Sequence, residues 1–384
     1  MSLPEAPTPL GRYRLLSPRA SIRVSPIALG AMSIGDKWDK MGKMDKEASF
    51  KLLDAYYDAG GNFIDTANVY QDGASEEFIG EWMEQRGIRD QIVVATKYAA
   101  SWKRNDHSIA QKVHYVGSGA KSQHISVAAS LKKLRTDYID ILYVHWWDWE
   151  TSVEELMNSL NNLVVAGKVL YLGASDTPAY IVAKANQYAR DHGKTQFSIY
   201  QGEWNVMRRS FERDILPLAR DDGMALAPWN VLAAGRLRTD AEDEVRQAAG
   251  DEGRTGFSTD GQWQRTEEEI KMSHALEKVA NEIGATSIQA VAIAYVMSKA
   301  PYVFPIIGGR KIEHLQKNIE ALQISLTQEQ IDYLESILLF DAGFPTWMIG
   351  NGTKPNGLLA AGAPMDKWPI LAPIKPSVRG EQSV

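Results

Sequence analysis

Short apolar, β-branched runs alternate with longer helix-spaced stretches along almost the whole chain, and this alternation sets the tightest limit on its fold. Strand-like runs are read at 25–30, 62–66, 92–97, 138–145, 169–175, 197–201, 224–229 and 302–307. Helical spacing is read at 46–59, 75–86, 122–135, 152–166, 177–191, 211–222, 266–283, 287–299 and 311–323. A strand–helix–strand repeat requires parallel pairing through right-handed crossovers. Eight such repeats close into an α/β fold of the (β/α)8 TIM-barrel kind, with an open doubly wound sheet as the alternative. The open sheet's G-x-G-x-x-G turn after the first strand is absent, which favours the barrel. Boundary residues agree with the alternation. Asp176-Thr177-Pro178 offers a helix cap and an early proline, and Gly60-Gly61, Gly167 and Gly223 sit at helix-to-strand junctions.

Three segments break the rhythm: 102–120, 236–265 and 341–384. Each follows a strand or the last helix, so all three are expected on or near the catalytic face as long loops and a C-terminal extension. The barrel core is read as about residues 20–337 of a single domain spanning 1–384, with 338–384 as the extension. Composition then removes whole classes of function. The chain has 384 residues, 44% hydrophobic and 23% charged, with a net charge of −6. That much apolar material can order a chain. An acidic total argues against nucleic-acid or anionic-membrane partners. No apolar run approaches the ~18–20 residues of a membrane helix, and the opening MSLPEAPTPLGRYRLL has no secretory apolar core. Cysteine is absent, which removes disulfides and thiolate chemistry and fits a cytoplasmic location. The histidines at 107, 114, 124, 192, 274 and 314 lack metal-ligand spacing, so no metal site is expected.

In a barrel, reactive groups project from the C-terminal ends of strands. The second strand ends in Asp65, with Tyr70 five residues on in DTANVY. The third ends in Lys97 and the fourth in His145. The fifth ends in Ser175-Asp176, the sixth in Gln201, and the seventh in Trp229-Asn230. Asp, Tyr, Lys and His at one mouth form a proton-transfer set. A lysine cation ~4 Å from a phenol, at an effective dielectric of ~20, favours the phenolate by up to ~4 kcal/mol. Burial of the phenol works against that gain, so a smaller net acidification is expected. Asp65 would hold Lys97 protonated, and His145 would orient a substrate oxygen. The set suits protonation of a carbonyl oxygen while hydride reaches the carbon.

FIDTANVY, VVATKY, LYVHWWD, YLGASD, YQGEWNVMRR, APWNVLAAGRL and FPIIGGRKIEHLQKNIEAL occur in order over about 20–337. Together they resemble the aldo-keto reductase superfamily. HWWDWETSVEEL, GASDTPAY and the long tail narrow the resemblance to fungal aryl-alcohol dehydrogenases and norsolorinic acid reductases. The resemblance implies a (β/α)8 barrel that uses NADP(H). It makes Tyr70 the general acid/base, Lys97 and Asp65 its tuning pair, and His145 the carbonyl-orienting group. It puts Gly30, Met32 and Asp65 beside the cofactor, with Ser175, Asp176 and Gln201 on the nicotinamide carboxamide. Many relatives carry Asn where Asp176 stands; a carboxylate accepts from the amide but cannot donate to its carbonyl. Trp229 would stack on the nicotinamide. Leu232, Gly235, Arg236 and Leu237 would wrap the pyrophosphate. Gly308, Arg310, Lys311, His314 and Asn318 would hold the adenosine 2′-phosphate and adenine, with Arg310 and Lys311 selecting NADPH.

The chain has 11 tryptophans. Trp38, Trp102, Trp146, Trp147, Trp149, Trp204 and Trp229 all follow closely on strand ends, where loops wall a barrel's mouth. Aromatic walls favour flat substrates. Trp38, Trp102 and Trp146 are therefore read as substrate-facing, and an aromatic aldehyde or alcohol as the small-molecule partner. The alternatives are a polyketide or other ketone substrate, or a cofactor-sensing protein of the channel-β-subunit kind with slow turnover. The residue pattern carries no oligomeric state.

Overall fold

A computed structural model describes residues 5–250 and 263–376. Residues 251–262 of the second long segment and 377–384 of the third lie outside these described residues.

An antiparallel hairpin, β1 (Arg14–Ser17) and β2 (Ala20–Val24), precedes eight parallel strands. These are β3 (Ala28–Gly30), β4 (Phe63–Asp65), β5 (Val93–Tyr98), β6 (Ile139–Val144), β7 (Val169–Ser175), β8 (Phe197–Glu203), β9 (Ala225–Trp229) and β10 (Ile306–Gly308). The sheet order runs β10-β3-β4-β5-β6-β7-β8-β9. The alternation therefore reads as a (β/α)8 barrel. The last strand differs from the single run expected at 302–307. Pro305 has no N–H to donate and splits the run. Before it, Leu226 N donates to Tyr302 O and Phe304 N to Leu226 O, each at 2.8 Å, closing the barrel against β9. After it, Ile306 to Gly308 pair with Ala28 to Gly30.

The intervening helices are α1 (Lys46–Asp58), α2 (Ala74–Arg86), α3 (Ala120–Lys133), α4 (Val153–Val165), α5 (Ala179–Asp191) and α6 (Ile215–Asp222). After β9 come α7 (Asp240–Ala248), α8 (Glu267–Ile283) and α9 (Ile288–Met297); after β10 come α10 (Ile312–Ile319) and α11 (Gln328–Ile337). Two four-residue turns, α12 (Thr346–Ile349) and α13 (Gly357–Ala360), lie in the extension. Local chemistry fixes many starts. Asp45 caps α1 and Ser152 caps α4, each accepting a backbone N–H of the first turn. Thr239, Thr266 and Thr327 form capping boxes with Glu242, Glu269 and Gln330.

Side chains fill the barrel's interior, among them Phe63, Val93, Ile141, Ile199 and Phe304. Leu16 and Val24 of the hairpin join this cluster and stopper the N-terminal end. Any site must then open at the other end, where the long loops are. The extension starts there too: Arg213, after β8, donates to Asp341 O at 2.7 and 2.9 Å. Among the described residues no helix is long and apolar enough to cross a membrane.

Candidate active site

Strand register gathers the polar strand ends. Asp65 pairs with Gly30 and Ala95, and Lys97 with Tyr143, so Lys97 stands on the adjacent strand two residues beyond the partner of Asp65, with both at the C-terminal end. Lys97 Nζ donates to Asp65 Oδ1 at 2.5 Å, to Thr66 O at 2.8 Å and to Tyr70 Oη at 3.4 Å. Gln201 Nε2 donates to Asp65 Oδ2 at 2.8 Å, so both carboxylate oxygens are engaged. The His145 ring stands edge-on to Tyr70 with centroids 5.9 Å apart. The four residues read as a proton-transfer set are thus brought together. Lys97 and Asp65 are buried, at 1% and 3% exposure.

Burial decides the charge states. It works against the Lys97 cation, but Asp65 and Tyr70 outweigh it and raise the lysine's pKa. Burial likewise pushes the Asp65 carboxyl up, against Lys97 and the Gln201 N–H. The Tyr70 phenol is raised above its ordinary value because burial exceeds the pull of Lys97. This differs from the net acidification expected from the sequence: the phenol rests protonated. Burial, then Lys97, pushes His145 well below its ordinary value, so the imidazole is neutral. Its Nδ1 is buried and meets no hydrogen-bond partner among the described residues.

Tyr143 lies beneath this set, with Lys97 Nζ 5.8 Å from its ring centroid. Gly173, its register partner on β7, makes the room: a Cβ there would sit 2.4 Å from the ring. Tyr143 is not among the residues expected from the sequence, although it precedes His145 by two in a strand and so faces the same interior. Neither is Gln71. That residue is fully buried and left-handed (φ 54), followed by Asp72 (φ 56) and Gly73 (φ 101). Nothing in its type or spacing marks it.

The expected cofactor residues fall in two groups along the same end. Ser175 and Gln201 are register partners at the ends of β7 and β8. Asp176 adopts a left-handed backbone (φ 44), a conformation Asp and Asn tolerate. Its carboxylate accepts from Ser175 Oγ at 2.9 Å and from Trp229 Nε1 at 3.2 Å. Crowding around the carboxyl raises its pKa to about 6, offset in part by those two bonds. The residue is exposed by surface area, so solvent screening keeps the energetic consequence modest. Gly30 is buried beside Asp65 and Met32 is half-buried just beyond it.

The second group follows β9 and β10. Ala233, Ala234 and Gly235 are left-handed in succession (φ 47, 54 and 84), which turns backbone N–H groups into a concave nest. Leu232 is half-buried there, whereas the Leu237 side chain is core, at 1% exposure, leaving only its backbone for a ligand. Arg236 pairs with Glu269 at 3.1 Å. Gly308, Arg310 and Lys311 are exposed at the N-terminus of α10, with His314 on its first turn and Asn318 buried. Burial, with Lys311 and Lys317 nearby, lowers the His314 pKa, so this ring too is neutral.

The tryptophans divide. Trp38 is half-buried and stands edge-on to Tyr70 at 6.3 Å. Trp146 is 39% exposed and tilted against His145 at 4.8 Å. Trp102 is 8% exposed, packed behind Tyr70 with Ala67, Val69 and Ala100. Trp204 is fully buried and stacked on Phe211 at 5.0 Å, a core residue rather than a wall. No group of three or more metal-ligating side chains gathers among the described residues.

Comparison with known proteins places the chain in a family. The profile of the Aldo/keto reductase family matches residues 26–339. An aryl-alcohol dehydrogenase [NADP(+)] of Phanerodontia chrysosporium is 62% identical over 377 residues, covering 97% of this chain and 98% of that protein. An aldo-keto reductase of Emericella nidulans is 52% identical over 94% of this chain and 91% of its own. Norsolorinic acid reductase B of Dothistroma septosporum is 51% identical over 93% and 90%. With a profile match across most of its length and relatives above half identity, the chain belongs to the aldo/keto reductase family.

Proposed function

We propose that this chain is an NADPH-dependent oxidoreductase that reduces aryl aldehydes to aryl alcohols, reversibly. The observation that carries the reading is the buried Asp65–Lys97 pair reaching Tyr70 beside a neutral His145 at the open end of the barrel. The P. chrysosporium relative bears the name of the corresponding activity.

The donor set fits NADP(H). Exposed Arg310 and Lys311 beside Gly308 suit a 2′-phosphate. The left-handed turn at Ala233 to Gly235 suits a pyrophosphate, with Arg236 beside it. Ser175, Asp176 and Gln201 supply hydroxyl, carboxylate and amide for the carboxamide, and the Trp229 ring offers a flat face. When bound, the reduced nicotinamide supplies hydride to the carbonyl carbon. The chain's own residues handle the oxygen. Neutral His145 donates an N–H to the carbonyl oxygen and fixes its direction. Tyr70 transfers its phenolic proton to that oxygen as negative charge develops there. Lys97 stabilises the resulting phenolate, and Asp65, braced by Gln201, keeps the ammonium in place. Trp38 and Trp146 wall the space in front of Tyr70, with Trp102 backing it. The lack of cysteine suits a reducing cytoplasm.

The test is a screen of aromatic and aliphatic aldehydes and an aryl ketone, each with NADPH and NADH, read as loss of reduced-cofactor absorbance. Aryl aldehydes with NADPH should turn over fastest. Tyr70→Phe should lower kcat by ~10²–10⁴-fold with NADPH binding unchanged. No turnover of any aryl aldehyde, or a Tyr70→Phe variant with wild-type turnover, overturns the reading.

A further inference from the structure

The turn that carries Tyr70 does more than present a phenol. Its next residue, Gln71, uses its whole amide on the loop between β3 and α1. Gln71 Oε1 accepts from Lys37 N and Trp38 N at 2.9 and 2.8 Å, and Nε2 donates to Met32 O and Gly42 O at 2.8 and 3.1 Å. That loop is thereby fastened to the turn at four points. The following residue, Asp72, is exposed, and both of its carboxylate oxygens accept hydrogen bonds at the rim. It accepts from Trp38 Nε1 at 3.1 Å, and from Asn105 Nδ2 at 3.0 Å on one oxygen and 3.1 Å on the other. Asn105 belongs to the long loop between β5 and α3. Arg104, its neighbour, lies over the Trp38 ring at 5.0 Å.

We propose that Asp72 is a positioning residue that sets substrate specificity: it locks the Trp38 ring beside Tyr70 and, through Asn105, joins two loops into one wall that selects flat aromatic aldehydes. The proposal rests on the reading of Tyr70 as the proton donor. A substrate whose carbonyl oxygen reaches the Tyr70 hydroxyl must lay the rest of its body along the neighbouring wall. An offset or edge-on aromatic contact is selective only when the protein's ring is held in one orientation, because a freely turning indole loses rotamer entropy on binding. Gln71 and Asp72 share a left-handed backbone, Gln71 meeting the loop after β3 and Asp72 meeting Trp38 and Asn105. For Gln71 that conformation is costly, and it is kept where Tyr70 and the Trp38 wall meet.

The experiment measures kcat and KM for benzaldehyde, 2-naphthaldehyde and butanal with NADPH. It compares the wild type with Asp72→Ala, Asp72→Asn, Trp38→Phe and the Asp72→Ala/Trp38→Phe double variant. Asp72→Ala should lower the aromatic-to-aliphatic ratio of kcat/KM by about tenfold, mostly through KM, with the NADPH dissociation constant within about twofold. Asp72→Asn keeps an acceptor oxygen for Trp38 and should restore most of the ratio. Trp38→Phe keeps a ring but loses the donor, and the double variant should be no worse than the poorer single variant. An Asp72→Ala ratio within twofold of the wild type overturns the proposal, as do losses that multiply in the double variant. Failure of the wild type to reduce either aryl aldehyde would instead overturn the function on which it rests.

Discussion

Tyr70 has two opposing neighbours, a low-dielectric surround and the Lys97 ammonium, and their balance sets the sign of its pH dependence. Burial wins in the resting site, so the phenol is protonated through neutral pH. With Tyr70 as the proposed acid, aldehyde reduction needs that proton. Its rate should be flat from about pH 7 to 9 and fall as pH rises through the elevated phenol value. Alcohol oxidation needs the phenolate as acceptor, so its rate should climb over the same range. His145, lowered well below its ordinary value, contributes no second inflection there. pH–rate profiles in both directions check this, and a reductive rate that climbs with pH contradicts it. Asp65, Lys97 and His145 were legible in the sequence because each stands at a strand end, and Tyr70 because it stands five residues beyond one. The direction of the Tyr70 shift was not, because burial depends on loops whose paths no residue pattern specifies. Gln71 was hidden for the same reason: its bonding is a property of the loop it meets.

At the scale of elements, α2 starts immediately after the Tyr70 turn and is seated by its close approach to α3. A Cβ on Gly80 would lie 2.2 Å from Lys133 O and 2.6 Å from the Leu134 carbonyl carbon, both backbone atoms. Gly80→Ala must therefore push α2 off α3. It should cost ~1–3 kcal/mol, seen as a lower thermal midpoint, and should lower kcat because the turn moves with its helix. Unchanged stability would show that the helices slide freely. At the other side of the mouth, α10 presents Arg310 and Lys311 at its start. Replacing both with Ala should raise the NADPH dissociation constant by roughly 10–100-fold and that of NADH by less than about threefold, measured by titration calorimetry. Equal changes would remove the 2′-phosphate role. Element boundaries were readable where chemistry marks them. The capping box Thr327 to Gln330 starts α11, and the sequence contains that signal although no helix was read there. The split of the last strand at Pro305 could have been anticipated from the missing N–H. Which half would pair with β9 could not.

The whole molecule has one stoppered end and one working end, and its stability should be distributed accordingly. The alternation of runs made the eight parallel strands readable. The hairpin of β1 and β2 was not, because its five-residue second strand alternates too briefly to stand out from a loop. Near the chain's end, α11 is tied into the barrel by charge. Glu335 accepts from Arg209 at 2.7 Å and Tyr295 at 2.8 Å, and also pairs with Lys299. The residues beyond make a sharp contrast: Phe344, Trp347, Trp368 and Leu371 are 76%, 68%, 73% and 67% exposed. Side chains this exposed contribute little hydrophobic stabilisation, which scales with area removed from water. Two variants separate the regimes. Glu335→Ala leaves Arg209 and Lys299 to share Glu212 alone and takes the acceptor from the Tyr295 hydroxyl; it should cost ~1–3 kcal/mol, lowering the thermal midpoint by several degrees. Ending the chain after Pro345 should leave the midpoint within about 2 °C of the full chain, since the described residues it removes bury almost no apolar surface. If truncation lowers the midpoint as much as Glu335→Ala does, the extension holds the barrel together, and the boundary of the folded unit lies beyond α11.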